Sequence, residues 1–258
     1  MSTYDGMVES RENALKDFVE NKNSYYRKNH PEVSGKEYYD ETDIPLLDKN
    51  DIGFEVRKIP DHIMKMVRKA YAKKLPTITR EDPNEEWILS YIADNEKKNV
   101  CDIIDVMKIP GFPERLQKEI QPIIEDWIKD EFQIVPATVY GIRSYNRGAM
   151  LNMHHDRIEG LHVGVTMCVD NKGVKTPWPL NCISPRRSNE EHKLICNPGE
   201  MIIYENITVE HGRPEPFDGD WSRHLFVHWK LSNWKYKGLL PTKTTTKNGV
   251  EPTKWTTQ

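Results

Sequence analysis

The feature that most constrains the fold is a change of sequence pattern after Phe132. Beyond this point the chain has short segments rich in β-branched or aromatic residues, separated by turn signals such as DNKG, NPGE and FDGD. These segments are QIVPATVYGIRSY, LHVGVTMCVD, PWPLNCI, HKLICN, EMIIYEN and RHLFVHWKL. Before Phe132, apolar residues instead recur at the spacing of amphipathic helices. Helices first and strands later predict an α+β protein, with a β-barrel or sandwich backed by helices.

Two segments of the first half have the spacing of amphipathic helices. In DHIMKMVRKAYAKK we expect Asp61 to be the N-cap, followed by an apolar face. That face comprises Ile63, Val67, Ala70 and Tyr71. PERLQKEIQPIIEDWIKDEF repeats the pattern, and Pro122 predicts a kink or a division of the helix. Its apolar face comprises Leu116, Ile120, Ile123, Ile124, Trp127 and Ile128. A further helix is expected over residues 12–23.

The same patterns divide the chain into three parts. We expect residues 1–132 to form a mostly helical region that supports the strands, and residues 133–237 to form the strand-rich core. Residues 238–258 are rich in Thr, Lys and Pro, and we expect a tail that is flexible or draped on the surface.

Composition narrows the classes of partner. A net charge of −3 gives no basic footprint for nucleic acid. Because the sequence has no long apolar run and no apolar signal core, we expect a soluble, cytoplasmic protein that does not bind membranes. The four cysteines show no CxxC spacing and are expected to be buried free thiols. A bridge between Cys182 and Cys196 is the alternative.

The stretch LNMHHDRIEGLHV contains the strongest candidates for chemistry. If it ends a strand, alternation points His154 and Asp156 to one side and His155 to the other. His211, after the strand-like EMIIYEN, supplies a second imidazole. Two histidines and one carboxylate form a facial set for iron(II) that leaves positions open for substrate and oxygen. The HxD pattern is weak alone, and a hydrogen-bonded loop pair is the alternative.

Arg223 opens the apolar segment RHLFVHWKL. An arginine buried without a partner is costly, and a dicarboxylate co-substrate held by its planar guanidinium would remove that cost.

Together these residues resemble the iron(II)- and 2-oxoglutarate-dependent dioxygenases, specifically the prolyl 4-hydroxylase-like branch. The resemblance covers residues 139–229. It rests on the ordered series IRSYNRGAMLNMHHD, TPWPLNCI, CNPGEMIIYEN, HGRPEP and RHLFVHW. It implies a double-stranded β-helix, a jelly-roll or cupin-like barrel braced by N-terminal helices. The cofactors it implies are Fe(II), 2-oxoglutarate as co-substrate, O2 and ascorbate.

Carried onto this sequence, the resemblance makes His154, Asp156 and His211 the iron ligands. Arg223 becomes the partner of the far carboxylate of 2-oxoglutarate, and the Tyr145 hydroxyl binds the same carboxylate. A barrel-core aromatic is the alternative for Tyr145. The chain departs from the branch at Leu151, where a tyrosine is common, and at Arg223, where lysine is usual.

Three further residues are candidates for substrate contacts. Arg157 and Arg213 flank the proposed ligands and are candidates for binding a substrate carboxylate or backbone, with solvated arginines as the alternative. Arg213 is expected to lie too close to the metal to bind the far carboxylate of 2-oxoglutarate. Trp178 is expected in the core or lining a substrate groove.

The remaining histidines within strands, His162, His224 and His228, are expected to be packed or hydrogen-bonded. The sequence thus predicts a hydroxylase of a peptidyl residue such as proline, with a peptide or protein as substrate. The alternatives are a hydroxylase of a free amino acid or small metabolite, and a non-catalytic cupin-like barrel that binds a metal or ligand.

Overall fold

The computed structural model describes residues 46–81, 101–154, 156, 161–184 and 190–234. The helix expected over residues 12–23, the tail at 238–258, and the residues His155 and Arg157 lie outside the described residues.

Two antiparallel sheets form the expected double-stranded β-helix. The strands of the two sheets are β1 (Phe54–Lys58), β2 (Thr79–Arg80), β3 (Cys101–Ile104), β4 (Ile134–Asn146), β5 (Leu151–His154), β6 (Val163–Lys172), β7 (Leu180–Ile183), β8 (Glu191–Leu194), β9 (Glu200–Glu205), β10 (Glu210–Arg213) and β11 (Trp221–Leu231). The seven-stranded sheet has the strand order β1-β9-β6-β11-β4-β3-β2, and the four-stranded sheet has the order β5-β10-β7-β8.

Two α-helices lie against the larger sheet. Helix α1 is Asp61–Lys74, and Asp61 is its first residue; Pro60 occupies the N-cap position and no side chain caps this end. The prediction of Asp61 as N-cap is therefore wrong by one residue. Proline suits the position because its missing N–H would have no helical partner. Two short 3₁₀ turns, Leu75–Thr77 and Val106–Lys108, complete the helical elements of the described residues.

Helix α2 is Phe112–Trp127. It begins after Gly111, whose φ of 71° is a left-handed conformation that glycine adopts without strain. The helix continues through Pro122, so the predicted division does not occur. Leu116, Ile120 and Ile124 form its buried face, as the spacing predicted.

The larger sheet has an outer face and an inner face. The outer face packs on the two helices in one apolar cluster: Val163, Val165 and Met167 of β6 and Leu225, Val227 and Trp229 of β11 lie there with the buried helix residues. The inner face packs on the smaller sheet, since Ile202 and Tyr204 of β9 share an apolar cluster with Leu180 and Cys182 of β7.

Three short strands of the first half, β1, β2 and β3, were not predicted. All three extend the larger sheet at its edges, where β1 pairs with β9 and β3 pairs with β4. Short edge strands carry little hydrophobic alternation of their own, so periodicity gives a weak signal for them. No helix of the described residues is long and apolar enough to cross a membrane.

Candidate metal centre

The structure brings His154, Asp156 and His211 together at the inner side of the smaller sheet. His154 ends β5 and is the cross-strand partner of His211 on β10. Asp156 follows two residues after His154, and its backbone N–H donates to the carbonyl of Asn206 at 2.9 Å. One ligand atom from each of the three side chains lies within 4.8 Å of the other two. The cluster therefore has the composition and size of a metal site.

The contacts within the cluster orient the three groups. Asp156 Oδ1 lies 3.6 Å from His154 Nε2, and Asp156 Oδ2 lies 4.0 Å from His211 Nε2. His211 Nδ1 lies 2.9 Å from the carbonyl oxygen of Val209. A proton on Nδ1 suits that contact and leaves the Nε2 lone pair directed at the cluster, the arrangement usual for metal-binding histidine.

Burial and mutual contacts set the charges of the cluster. Burial, together with the neighbouring His154, lowers the pKa of His211 to about 4, so its imidazole is neutral at physiological pH. Burial alone would raise the pKa of Asp156, but hydrogen bonding to His154 and His228 outweighs it and holds that pKa well below its usual value. A neutral imidazole and an ionised carboxylate are the forms that bind metal ions.

His228 of β11 also reaches this cluster, which the sequence did not predict. Its Nε2 lies 3.6 Å from Asp156 Oδ2. The sequence indicates only a strand histidine, and alternation along β11 is hard to assign because the ladder with β4 has register shifts next to Phe226 and His228.

Arg213 lies on the same side of β10 as His211, with Gly212 between them. Its side chain is buried, with 3% of the residue exposed. Nη1 donates to the carbonyl of Trp178 at 2.5 Å, and the guanidinium carbon lies 4.7 Å from the centroid of the Trp178 ring. Nη2 is buried with no hydrogen-bond partner among the described residues. A buried cation with an unpaired N–H is costly, so this position favours an anionic ligand.

Tyr145 of β4 borders the same region. Its ring packs edge-on against Trp178 with centroids 5.1 Å apart. The hydroxyl is fully buried and has no hydrogen-bond partner among the described residues, and the same is true of Thr166 Oγ1 on β6. Burial raises the pKa of Tyr145 and outweighs the lowering effect of the neighbouring Arg143 guanidinium, so the hydroxyl keeps its proton. The barrel interior thus offers a cation and two hydroxyl groups to a polar ligand.

The structure does not bring Arg223 to this interior. Its guanidinium carbon lies 3.7 Å from the centroid of the Trp221 ring, and Nη1 donates to the hydroxyl of Tyr71 on α1. Nε donates to Ser144 Oγ at 3.2 Å. Arg223 lies on the same face of β11 as the outer-face residues Leu225 and Val227, because side chains two positions apart on a strand point to the same side. This arginine is therefore directed towards α1 and away from the interior.

A second buried cation, Arg143 on β4, is paired. Its guanidinium makes a bidentate contact with Glu81, with Nη2 to Oε1 at 2.6 Å and Nε to Oε2 at 2.9 Å. The guanidinium carbon lies 4.8 Å from the Tyr140 ring centroid and 5.6 Å from that of Phe226. The alternative of a bridge between Cys182 and Cys196 is not realised, since both thiols are free.

No family model matches the sequence, and no curated protein matches it. Solved structures with a similar fold include a Pseudomonas putida prolyl-4-hydroxylase, with a TM-score of 0.47, 12% identity, and coverage of 69% of this chain and 92% of that chain. A prolyl hydroxylase in complex with a hypoxia inducible factor peptide, from Trichoplax adhaerens, has a TM-score of 0.46, 11% identity, and coverage of 69% and 84%.

A third similar structure is HygX from Streptomyces hygroscopicus, with nickel, 2-oxoglutarate and hygromycin B bound. It has a TM-score of 0.48, 10% identity, and coverage of 71% of this chain and 84% of that chain. At such values the similarity concerns the general fold, and a function for this chain rests on its own side chains.

Proposed function

We propose that this protein is an iron(II)- and 2-oxoglutarate-dependent hydroxylase of a peptidyl residue, with proline the first candidate. The observation that carries the proposal is the placement of Arg213. A buried cation with an unpaired N–H lies on the same side of the same strand as His211, one of three side chains that could hold a metal. A metal site beside a buried anion site suits a co-substrate that is both a chelator and an anion.

The residues of the cluster fit iron(II). His154 and His211 would supply imidazole nitrogens, and Asp156 would supply a carboxylate oxygen, which is the facial set of non-haem iron oxygenases. Three protein ligands leave the other positions of an octahedron open. When bound, iron and 2-oxoglutarate supply the oxidative chemistry, in which O2 is consumed, 2-oxoglutarate becomes succinate and CO2, and a C–H bond becomes C–OH.

The interior beside the cluster fits the far carboxylate of 2-oxoglutarate. Arg213 Nη2 and the Tyr145 hydroxyl are buried donors without partners in the described part of the chain. A planar guanidinium and a hydroxyl are suited to a carboxylate. Two residues along a strand are about 6.6 Å apart, and the arginine side chain extends the reach further. The proposal thus differs from the expectation in the sequence analysis that Arg213 lies too close to the metal.

The position of these groups also orients and protects the reacting atoms. The cluster is largely buried between two sheets, with His154 9% and His211 2% exposed. Water is therefore kept from most of the site, and charge interactions with Arg213 are stronger than at a surface. The Val209 carbonyl and the Asn206 carbonyl hold His211 and Asp156 in place.

A peptidyl substrate is supported because neither interior arginine of the described residues is left over for the carboxylate of a free amino acid. Arg157, the other candidate for such a carboxylate, lies outside the described residues. Arg143 is already paired with Glu81, and Arg213 is assigned to 2-oxoglutarate. Beside Arg143 lies Tyr140, 36% exposed and packed edge-on against Phe226 with ring centroids 6.5 Å apart. A partly exposed aromatic pair suits an apolar ring such as that of a peptidyl proline.

The proposal is tested with purified full-length chain, Fe(II), 2-oxoglutarate and ascorbate in air. We expect Fe(II)-dependent release of succinate that proline-containing peptides stimulate, with a gain of one oxygen in the peptide by mass spectrometry. Free proline and other free amino acids should give neither result. If hydroxylation of a small molecule were coupled to succinate release and no peptide had any effect, the hydroxylase assignment would stand and the peptidyl substrate would be rejected. Metal binding without any succinate would instead indicate the non-catalytic barrel.

A further inference from the structure

We propose that His228 is a positioning residue, which holds the Asp156 carboxylate so that a single oxygen is presented to the metal. The inference rests on the proposed function, since it takes His154, Asp156 and His211 as the metal ligands. It adds a side chain from the opposite sheet to that centre.

The geometry of the carboxylate separates its two oxygens. Oδ2 lies 3.6 Å from His228 Nε2, and Oδ1 lies 3.6 Å from His154 Nε2. Both side chains are shielded from solvent, with 9% of the His228 side chain and 17% of the Asp156 side chain exposed. Oδ2 also lies 4.0 Å from His211 Nε2, so it is the oxygen shared between His228 and a ligand histidine, whereas Oδ1 has only the ligand His154 beside it among the ion-pair contacts of the described residues. A hold on Oδ2 by His228 would leave Oδ1 for the metal.

The surroundings of the two ring nitrogens of His228 differ. Nδ1 is buried and has no hydrogen-bond partner among the described residues. A buried N–H without an acceptor is more costly than a buried lone pair next to apolar atoms, so the proton of a neutral imidazole belongs on Nε2. Nε2–H then faces Asp156 Oδ2 at 3.6 Å, slightly beyond hydrogen-bond distance in this structure. A metal ligand held by a hydrogen bond from outside the ligand set is a common arrangement that raises metal affinity.

The backbone around His228 is fixed by its neighbours. The carbonyl of His228 accepts from Gln117 Nε2 of helix α2 at 3.4 Å. Its cross-strand neighbour on β6 is Gly164, over which the Asn206 side chain packs so closely that a Cβ would not fit. The Asn206 carbonyl in turn accepts from the Asp156 backbone N–H. Asp156 is thus held through its main chain by Asn206 and through its side chain by His228.

His228 is not itself one of the metal ligands by this geometry. Among the described residues, the ligand atoms that lie within 4.8 Å of one another belong to the other three side chains. His228 therefore acts through Asp156, and its loss should weaken the metal site without abolishing it.

The test is calorimetric titration of full-length protein with Mn(II), a redox-stable substitute for Fe(II), without 2-oxoglutarate. We expect His228→Ala to bind Mn(II) about tenfold or more weakly than wild type. His228→Gln should recover most of the affinity, because the glutamine amide can place an N–H near the position of Nε2. The matched control is His224→Ala, which removes a buried imidazole of the same strand that contacts Ser222 Oγ at 2.9 Å. It should bind like wild type.

Wild-type affinity in His228→Ala would overturn the inference, as would an equal loss in His224→Ala or no recovery in His228→Gln. A loss as complete as that of His154→Ala would make His228 a ligand rather than a positioning residue. If the wild-type protein bound no Mn(II), the proposed metal centre itself would be rejected. Circular dichroism melting of each variant shows whether it is folded during the titration.

Discussion

Arg213 and His211 lie on the same side of strand β10, with both side chains buried and only Gly212 between them. One is a candidate metal ligand, and the other is a cation with a buried N–H that no described residue accepts. The ladder with β5 is irregular between the two residues, whereas the pairing of β10 with β7 is regular from Glu210 to Gly212. Because the residues are only two positions apart on one strand, a ligand that chelates the metal would meet the guanidinium within the length of a short carbon chain.

The first prediction concerns the metal ligands. His154→Ala, Asp156→Ala and His211→Ala should each lose bound metal, because three protein ligands leave no substitute when one is removed. His155→Ala is the control. His155 lies outside the described residues, but alternation in the sequence predicts that it points away, so this variant should retain metal. Metal content per protein after dialysis is the measurement, and loss in His155→Ala with retention in His154→Ala would reverse the assignment.

From the sequence, the site could be predicted only at residues in or directly after a segment with the apolar pattern of a strand. The triad was predicted because HxD and His211 follow segments with clear strand character, and β5 and β10 do pair at His154 and His211. Arg223 was assigned from its place at the start of β11. The direction of its side chain depends on the face of β11 on which it lies. That is the same face as Leu225 and Val227, which belong to the outer apolar cluster. Pairing of sheets and helices is a long-range property that a single sequence does not display.

The partner of Arg143 illustrates the same limit. Glu81, directly after β2, and Arg143 of β4 form a bidentate pair although they are 62 residues apart in sequence. Nothing local in either segment indicates the other. The strands of the second half were predicted because each has its own apolar pattern, whereas β2, next to Glu81, has two residues, both exposed. Contacts that join weak elements are therefore the ones that the sequence could not reveal.

The second prediction concerns that buried pair. Glu81→Ala should destabilise the protein by about 3–5 kcal/mol, because Arg143 would remain buried without its counter-charge. Asp126→Ala is the control, since it breaks a pair with Arg57 in which the Asp126 side chain is 71% exposed. That change should cost less than about 1 kcal/mol. Urea unfolding of both variants is the measurement, and equal losses would contradict the importance of burial.

The third prediction concerns the pH dependence of stability. Glu205 is fully buried, and burial raises its pKa from 4.5 to about 7. Its carboxyl accepts from the backbone N–H groups of Leu47 and Asp48, and the Thr208 hydroxyl also donates to it. The unfolded chain loses this proton at a lower pH than the folded chain. The stabilisation that Glu205 provides is therefore full below about pH 4.5 and is lost as pH rises to about 7, a change of about 3 kcal/mol.

Glu205→Gln tests this directly, because the amide stays neutral and keeps an acceptor for the two backbone N–H groups. The difference in unfolding free energy between the variant and wild type should grow in favour of the variant from pH 5 to pH 8. Other titrating groups cancel in that difference. A difference that is constant with pH would show that Glu205 is ionised in the folded protein at both ends of the range.

The most direct test of the proposed 2-oxoglutarate site is the affinity of the Mn(II)-loaded protein for 2-oxoglutarate, measured by calorimetry in wild type, Arg213→Ala and Arg223→Ala. Removing the guanidinium from a buried, charge-assisted pair should cost about 2–5 kcal/mol, which is a loss of roughly thirtyfold or more. We expect that loss in Arg213→Ala and near wild-type affinity in Arg223→Ala, whose guanidinium contacts Tyr71 and Trp221 on the outer face. Loss in Arg223→Ala with none in Arg213→Ala, or no binding of 2-oxoglutarate by wild type, would contradict the account.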